Sequence, residues 1–180
     1  MPSAGETTPF SKITVRPARS NDATALGVFF NDAWEEAGPG ALGFAGATDD
    51  AIRAISSEEF LKKRLSSPKV RIIIAEKERK VVGFASIRFV EGHEGELSGV
   101  AVLETTSGMG IGSKLVRKAC DAAIKLGLAH LSVKTEATNR RAINFYKKNE
   151  FTESGKVMEK VGRARVPLMV LRKKLRRHSR

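Results

Sequence analysis

"SGMGIGSK", Ser107 to Lys114, sets glycines at 108, 110 and 112 between a run of β-type residues and a long helical pattern. The upstream stretch "HEGELSGVAVL" alternates at its centre and reads as a strand. Plain alternation puts Glu96, Ser98, Val100 and Val102 on one face, with Leu97, Gly99, Ala101 and Leu103 on the other. Downstream, "IGSKLVRKACDAAIKLG" carries Ile111, Leu115, Ala119, Ala122 and Leu126 at helical spacing, and Gly127 ends it as a C-terminal cap. "LAHLSVKTE" is then a strand again. A strand, a helix and a strand in that order need a crossover, so the two strands run parallel. This block decides the fold.

The flanks are read outward from it. "KITVRPA" is a first strand, and "SNDATALGVFFNDAW" a helix after Ser20. "EEAGPGALGFAGATDD" is a long glycine-rich connection, and "SSEEFLKKRL" opens a second helix with Ser56 and Glu59 in capping-box spacing. "KVRIIIAE" and "KVVGFASIRFV" form a hairpin ahead of the central block. "NRRAINFYKKNE" is a helix capped by Asn139. "FTESGKVMEK" and "RARVPLMVLRKK" close the chain as two strands, with Pro167 expected at an edge or a bulge. The order β-α-α-β-β-β-α-β-α-β-β predicts an α/β domain whose sheet is mixed. Residues 1–10 are expected to be a flexible leader, 11–171 a single domain, and 172–180 a basic C-terminal tail.

With 180 residues, the chain has room for one full core. No apolar run is long enough to span a bilayer and no secretory signal is visible, so no membrane partner and a cytoplasmic location are expected. The single cysteine, Cys120, excludes an internal disulfide framework and reads as a small core residue. His93, His130 and His178 form no metal-ligand spacing with it, so no metal is expected. The net charge is +12, of which six Lys/Arg sit in the last nine residues, "RKKLRRHSR". That tail is a candidate nucleic-acid contact, although a solvated terminus is the simpler reading. The remaining charge favours an anionic ligand.

The glycines match neither of two well-known phosphate loops. The dinucleotide fingerprint needs its third glycine one residue later than Gly112, and a Walker A loop needs Gly-Lys where Ser113-Lys114 stands. Two readings stay open on this segment alone: a backbone cradle for an anion at a helix N-terminus, or a packing turn. "VAVLETTSGMGIG" followed by "NRRAINFYKKNEF" resembles the GCN5-related N-acetyltransferase (GNAT) superfamily, over roughly residues 12 to 171 and in element order as well as motif.

The resemblance implies a mixed, mostly antiparallel sheet with a central, splayed parallel pair, flanked by about four helices. It also implies acetyl-CoA as co-substrate and an amine acceptor, either a small molecule or a peptide or protein. On it, Val100, Ala101 and Val102 would run beside the pantetheine. Ser107, Gly108, Met109, Gly110, Ile111, Gly112 and Ser113 would cradle the pyrophosphate. Asn139 would hold the pantetheine, and Tyr146, the only tyrosine, would serve the departing sulfur. Glu96 is the candidate base, alongside water or a backbone carbonyl, because an alkyl ammonium with a pKa near ~10 must lose a proton before it attacks. Trp34, Glu35 and Glu36 are expected near the acceptor. Ser107 stands where the family has Arg or Gln, Glu104 where many members have proline, and Glu150 where they have glycine. The last departure predicts a different turn after that helix. A homodimer is a candidate assembly. A rival of another class is a non-catalytic acyl-CoA sensor or a nucleic-acid-associated regulator.

Overall fold

The computed structural model describes residues 12–38, 48–161 and 164–176. The expected leader and residues 177–180 of the tail lie outside them, as does most of the glycine-rich connection. Among the described residues the chain runs β1 (Thr14–Pro17), α1 (Ala23–Ala37), α2 (Asp49–Ser56), α3 (Glu58–Leu65), β2 (Val70–Lys77), β3 (Lys80–Val90), β4 (Glu94–Val102), α4 (Ile111–Lys125), β5 (His130–Glu136), α5 (Arg140–Lys148), β6 (Thr152–Val161) and β7 (Ala164–Lys174). The seven strands form one sheet in the order β1-β2-β3-β4-β5-β7-β6. Only β4 and β5 pair in parallel, as the crossover demands.

One helix more is present than the sequence suggests. Asp49 and Asp50, which look like the end of a polar loop, form the first turn of α2, where acidic side chains suit the helix dipole. Thr48 caps it by accepting from the Ala51 amide. Ser57, not Ser56, then caps α3 by accepting from Phe60 N. The β2–β3 turn is two residues, Glu78 and Arg79, both at positive φ as a tight hairpin of this twist requires. β7 continues through Lys174 and Leu175 is buried, so the sheet claims the first residues of the expected tail. Pro167 lies past Leu168, the last β7 residue in register with β5; it stands opposite Met158 of β6, and its carbonyl accepts from Ala137 N at 2.9 Å.

Gly83 and Phe84 are neighbours on β3 and so face opposite ways. A side chain at Gly83 would meet Leu115 of α4, whereas the Phe84 ring packs edge-on against Phe29 and Phe30 of α1. Helix α4 therefore covers one face of the sheet and α1 the other. On α4 the buried stripe is Ile111, Leu115, Val116, Ala119, Cys120 and Ala123. It is turned slightly from the expected one, and leaves Leu126 exposed at the helix end. Cys120 is a core residue whose thiol burial pushes up.

Two local features depart from simple pattern reading. First, Ser86 pairs with Gly99 but Ile87 with Leu97, so Ser98 is an extra residue bulged from β4. The bulge flips the alternation. Glu96 lies on the α1 side with Gly99 and Ala101, while Val100 and Val102 turn to the α4 side with Leu97. The expected common face of Glu96, Val100 and Val102 does not exist. Second, Glu150 adopts φ +67° and closes α5 with the Phe151 amide bonded to Tyr146 O at 3.1 Å. The left-handed turn is kept despite the missing glycine, so the predicted change of turn is wrong.

Candidate active site

Strands β4 and β5 pair only through Glu94–His130, Gly95–Leu131 and Glu96–Ser132. Beyond that the two strands part, and the gap between them opens into a cleft of about 720 Å³. Glu94 ties the closed end, paired with Arg172 of β7 and with its Oε1 3.2 Å from His130 Nδ1. The cleft wall takes Leu97 through Val102 from β4, Val133 through Thr135 from β5, and the glycine loop from the N-terminus of α4.

The loop answers for its glycines in two ways. Gly108 and Gly110 have φ of +80° and +71°, the left-handed region that glycine enters without strain. Gly112 is in the helix itself, and a Cβ there would sit 3.1 Å from the Phe145 ring. So two of them turn the chain and the third lets α5 approach α4. From Gly108 to Ser113 no backbone amide meets an acceptor among the described residues, and the first turn of α4 carries no acid. Such an amide row, with the positive end of a helix dipole behind it, suits an anion.

Of the residues expected to bind cofactor, Val100, Ala101, Val102, Ser107, Gly108, Gly110, Ile111, Gly112, Ser113 and Asn139 all line the cleft. Met109 does not, and its side chain is exposed. Asn139 Oδ1 accepts from Ala142 N and so caps α5, as its position predicts. Its Nδ2 has no partner among the described residues.

Tyr146 also lines the cleft and is 7% exposed. Its ring packs edge-on between Phe145 and Phe151, at 5.2 and 5.8 Å. Its hydroxyl makes no hydrogen bond among the described residues, and burial pushes its pKa up to about 12. The hydroxyl is not one of the fully buried polar atoms without a partner, so it opens onto the cleft and is available to a ligand there. Glu96 is not on the cleft wall. Its carboxylate is paired with Arg88 on the α1 side of the sheet.

Sequence reasoning missed two contributors, Arg141 and Ser98, while the structure gives the expected Glu36 and Trp34 particular partners. Arg141 lines the cleft, pairs with Glu104 at 3.0 Å and reaches Ser107 Oγ at 3.3 Å. A guanidinium from α5 thus stands over the loop start, where Ser107 replaces the family's long side chain. Glu36 accepts from Glu104 N at 2.6 Å and from Thr105 Oγ1 at 3.1 Å, so it anchors the turn that leads into the loop. Trp34 Nε1 donates to Asp49 Oδ1, tying α1 to α2. Charge and spacing around Arg141 were visible in the sequence, but nothing there says which loop a helix N-terminus will face. Ser98 is the second missed residue, brought to the wall by the bulge.

The sequence pattern of the acetyltransferase (GNAT) family matches residues 29–151. The chain belongs to that family. It is therefore an acyltransferase, of a family that draws acyl groups from coenzyme A thioesters and delivers them to amines. The chain is similar to YhfO of Bacillus subtilis (strain 168), named as an uncharacterized N-acetyltransferase. The two are 28% identical over 146 residues, which cover 78% of this chain and 91% of the relative. Among solved structures, the ribosomal-protein-alanine N-acetyltransferase of Brucella melitensis superposes with a TM-score of 0.68 at 28% identity, covering 90% of this chain and 99% of the other. The PaiA N-acetyltransferase of Thermoplasma acidophilum, solved with coenzyme A, superposes at 0.71 with 19% identity, covering 91% and 99%. At that identity it speaks for the fold alone. Among the described residues, no helix is long and apolar enough to cross a membrane.

Proposed function

We propose that this GNAT protein is an acetyl-CoA-dependent N-acetyltransferase that moves an acetyl group to a primary amine in a single direct transfer. One observation carries this: an unpaired amide row and the Tyr146 side chain line the same cleft, where the parallel strands part. The amide row suits the pyrophosphate of coenzyme A, with Arg141 close enough to add a side-chain contact. The free edge of β4 over Val100 to Val102 suits the pantetheine amides, and Asn139 offers its Nδ2 to the same chain.

Acetyl-CoA supplies the thioester: the amine nitrogen forms the N–C bond and the C–S bond breaks with its electron pair on sulfur. Tyr146 meets that charge. A thiol ordinarily has a pKa near ~8.5, so complete transfer from a phenol at about 12 is uphill by roughly 5 kcal/mol. Tyr146 accordingly acts as a hydrogen-bond donor to the thiolate, and not as its full proton source. The amine's proton leaves through water. Glu96 can receive it only by such a relay, since its carboxylate is off the cleft wall and held by Arg88. Holding amine and thioester together supplies much of the remaining acceleration.

The test is release of free coenzyme A from acetyl-CoA, followed with a thiol reagent across small amines and short peptides, beside a titration of acetyl-CoA binding. Acceptor-dependent release supports the reading. Saturable binding without release from any amine would favour the sensor alternative.

A further inference from the structure

The α1 side of the bulge holds a charge that no carboxylate balances among the described residues. Arg64 projects from α3 and is half-buried, with its guanidinium 5.8 Å from the Phe60 ring centroid. Its one hydrogen bond among the described residues is from Nη2 to Ser86 Oγ, at 3.3 Å. No carboxylate pairs with it. The nearby charge is of the same sign: burial first, and then the field of Arg88, hold the Arg64 guanidinium below its ordinary pKa. Arg88 has Glu96 as its partner. Two cations and one anion thus share a small region, and half-buried guanidinium groups are normally matched by a carboxylate or phosphate.

This region adjoins the cleft through Ser98, although Arg64 and Arg88 do not themselves line it. Ser86 is 3% exposed, and its Oγ and its carbonyl oxygen each lie 3.2 Å from Ser98 Oγ. Ser98 lines the cleft because the bulge turns it there. Arg64, Ser86 and Ser98 therefore form a hydrogen-bonded line from the unpaired guanidinium to the wall where an amine would stand. The side of the sheet matters too. It is the face of α1 and α3, away from the α4 loop that suits the pyrophosphate.

We propose that Arg64, assisted by Arg88, is a specificity determinant that binds a carboxylate carried by the acceptor, so that the substrate is an amino-acid-type amine rather than a polyamine. The proposal rests on the acetyl-transfer reading for the identity of the second substrate, but the anion site itself does not. A cationic polyamine would meet uncompensated positive charge on this wall, whereas a carboxylate would turn the excess into a matched pair.

Two measurements test it on the full chain. Coenzyme A release is compared between free amino acids and their carboxamides for wild type, Arg64→Gln and Arg64→Lys. The expected preference for the free carboxylate is at least about tenfold in kcat/KM. It falls to within about threefold in Arg64→Gln and is partly kept in Arg64→Lys, with acetyl-CoA affinity unchanged in both. The second needs no turnover: the Arg64 Nε–H resonance is followed while N-acetylglycine or N-acetylglycinamide is added. Saturable shifts with the carboxylate only support the site, even if no acceptor is ever acetylated. Equal shifts with both compounds, or none, overturn it, as does a wild type that prefers amides or polyamines. Failure of release together with a carboxylate-specific shift would refute the transferase reading and leave the arginine site standing.

Discussion

Replacing Tyr146 by phenylalanine separates chemistry from folding unusually well in this protein. The change removes one oxygen. Among the described residues that oxygen has no hydrogen-bond partner, while the ring keeps its edge contacts with Phe145 and Phe151. That hydroxyl opens onto the cleft, so deleting it leaves no buried polar group unpaired and is nearly neutral for stability. The melting temperature should therefore stay within about 2 °C of wild type. During transfer the balance differs. A hydrogen bond to a charged partner contributes about 1.5–3 kcal/mol, so its loss predicts a fall in kcat of about 10- to 150-fold with little change in acetyl-CoA affinity. The pH profile adds an independent reading. With a pKa of about 12 the phenol stays protonated over the working range, so Tyr146 contributes no falling limb to the wild-type rate below about pH 11. Thiol-release kinetics from pH 6 to 10.5, with thermal melts of both proteins, would decide it. Equal kcat in the two proteins, or a loss of rate matched by a collapse in melting temperature, would refute the reasoning.

Three further outcomes are expected. Arg141→Gln weakens acetyl-CoA binding by roughly three- to tenfold and lessens its salt dependence, measured by titration at two ionic strengths; unchanged affinity would remove Arg141 from the phosphate site. Glu150→Gly relieves a left-handed backbone at +67° and raises the melting temperature by about 2–4 °C, the exposed contact with Lys173 being a minor loss, and a fall in melting temperature would contradict that account. The Arg16 guanidinium, hydrogen-bonded to Asp22, holds that carboxyl below its ordinary 3.8. The stabilisation is complete above about pH 4 and is lost as pH falls through the depressed folded-state value, so Asp22→Asn should flatten the acid side of a stability profile between pH 2 and 6. An unaltered profile would show that the network carries no such linkage.

Most of the architecture was readable because it rests on long periodic segments. The order of strands, the parallel pair and the capped start of α5 all follow from patterns that tertiary packing does not overrule. The misses are shorter. Helix α2 begins with two aspartates that look like loop but suit a helix start. The bulge at Ser98 leaves no trace in "ELSGVAV", since one extra residue changes pairing without changing composition. Glu150 shows that a turn can retain its shape against its residue's preference when the neighbouring Phe151 is fully packed. In the site, the loop and Tyr146 were legible as residues, but the partner of Glu96, the reach of Arg141 and the isolation of Arg64 depend on which surfaces meet.

The single extra residue in β4 acts as a half-period phase shift. Ahead of it, even-numbered side chains point toward α1; behind it, they point toward α4. One strand thus presents different parities to the two faces of the sheet, and Glu96 and Val100 point to opposite sides although four residues apart. Removing Ser98 would put Leu97 and Gly99 into regular alternation and leave every remaining side chain on its present face, so the extra residue shifts the parity of the numbering and not the faces its neighbours meet.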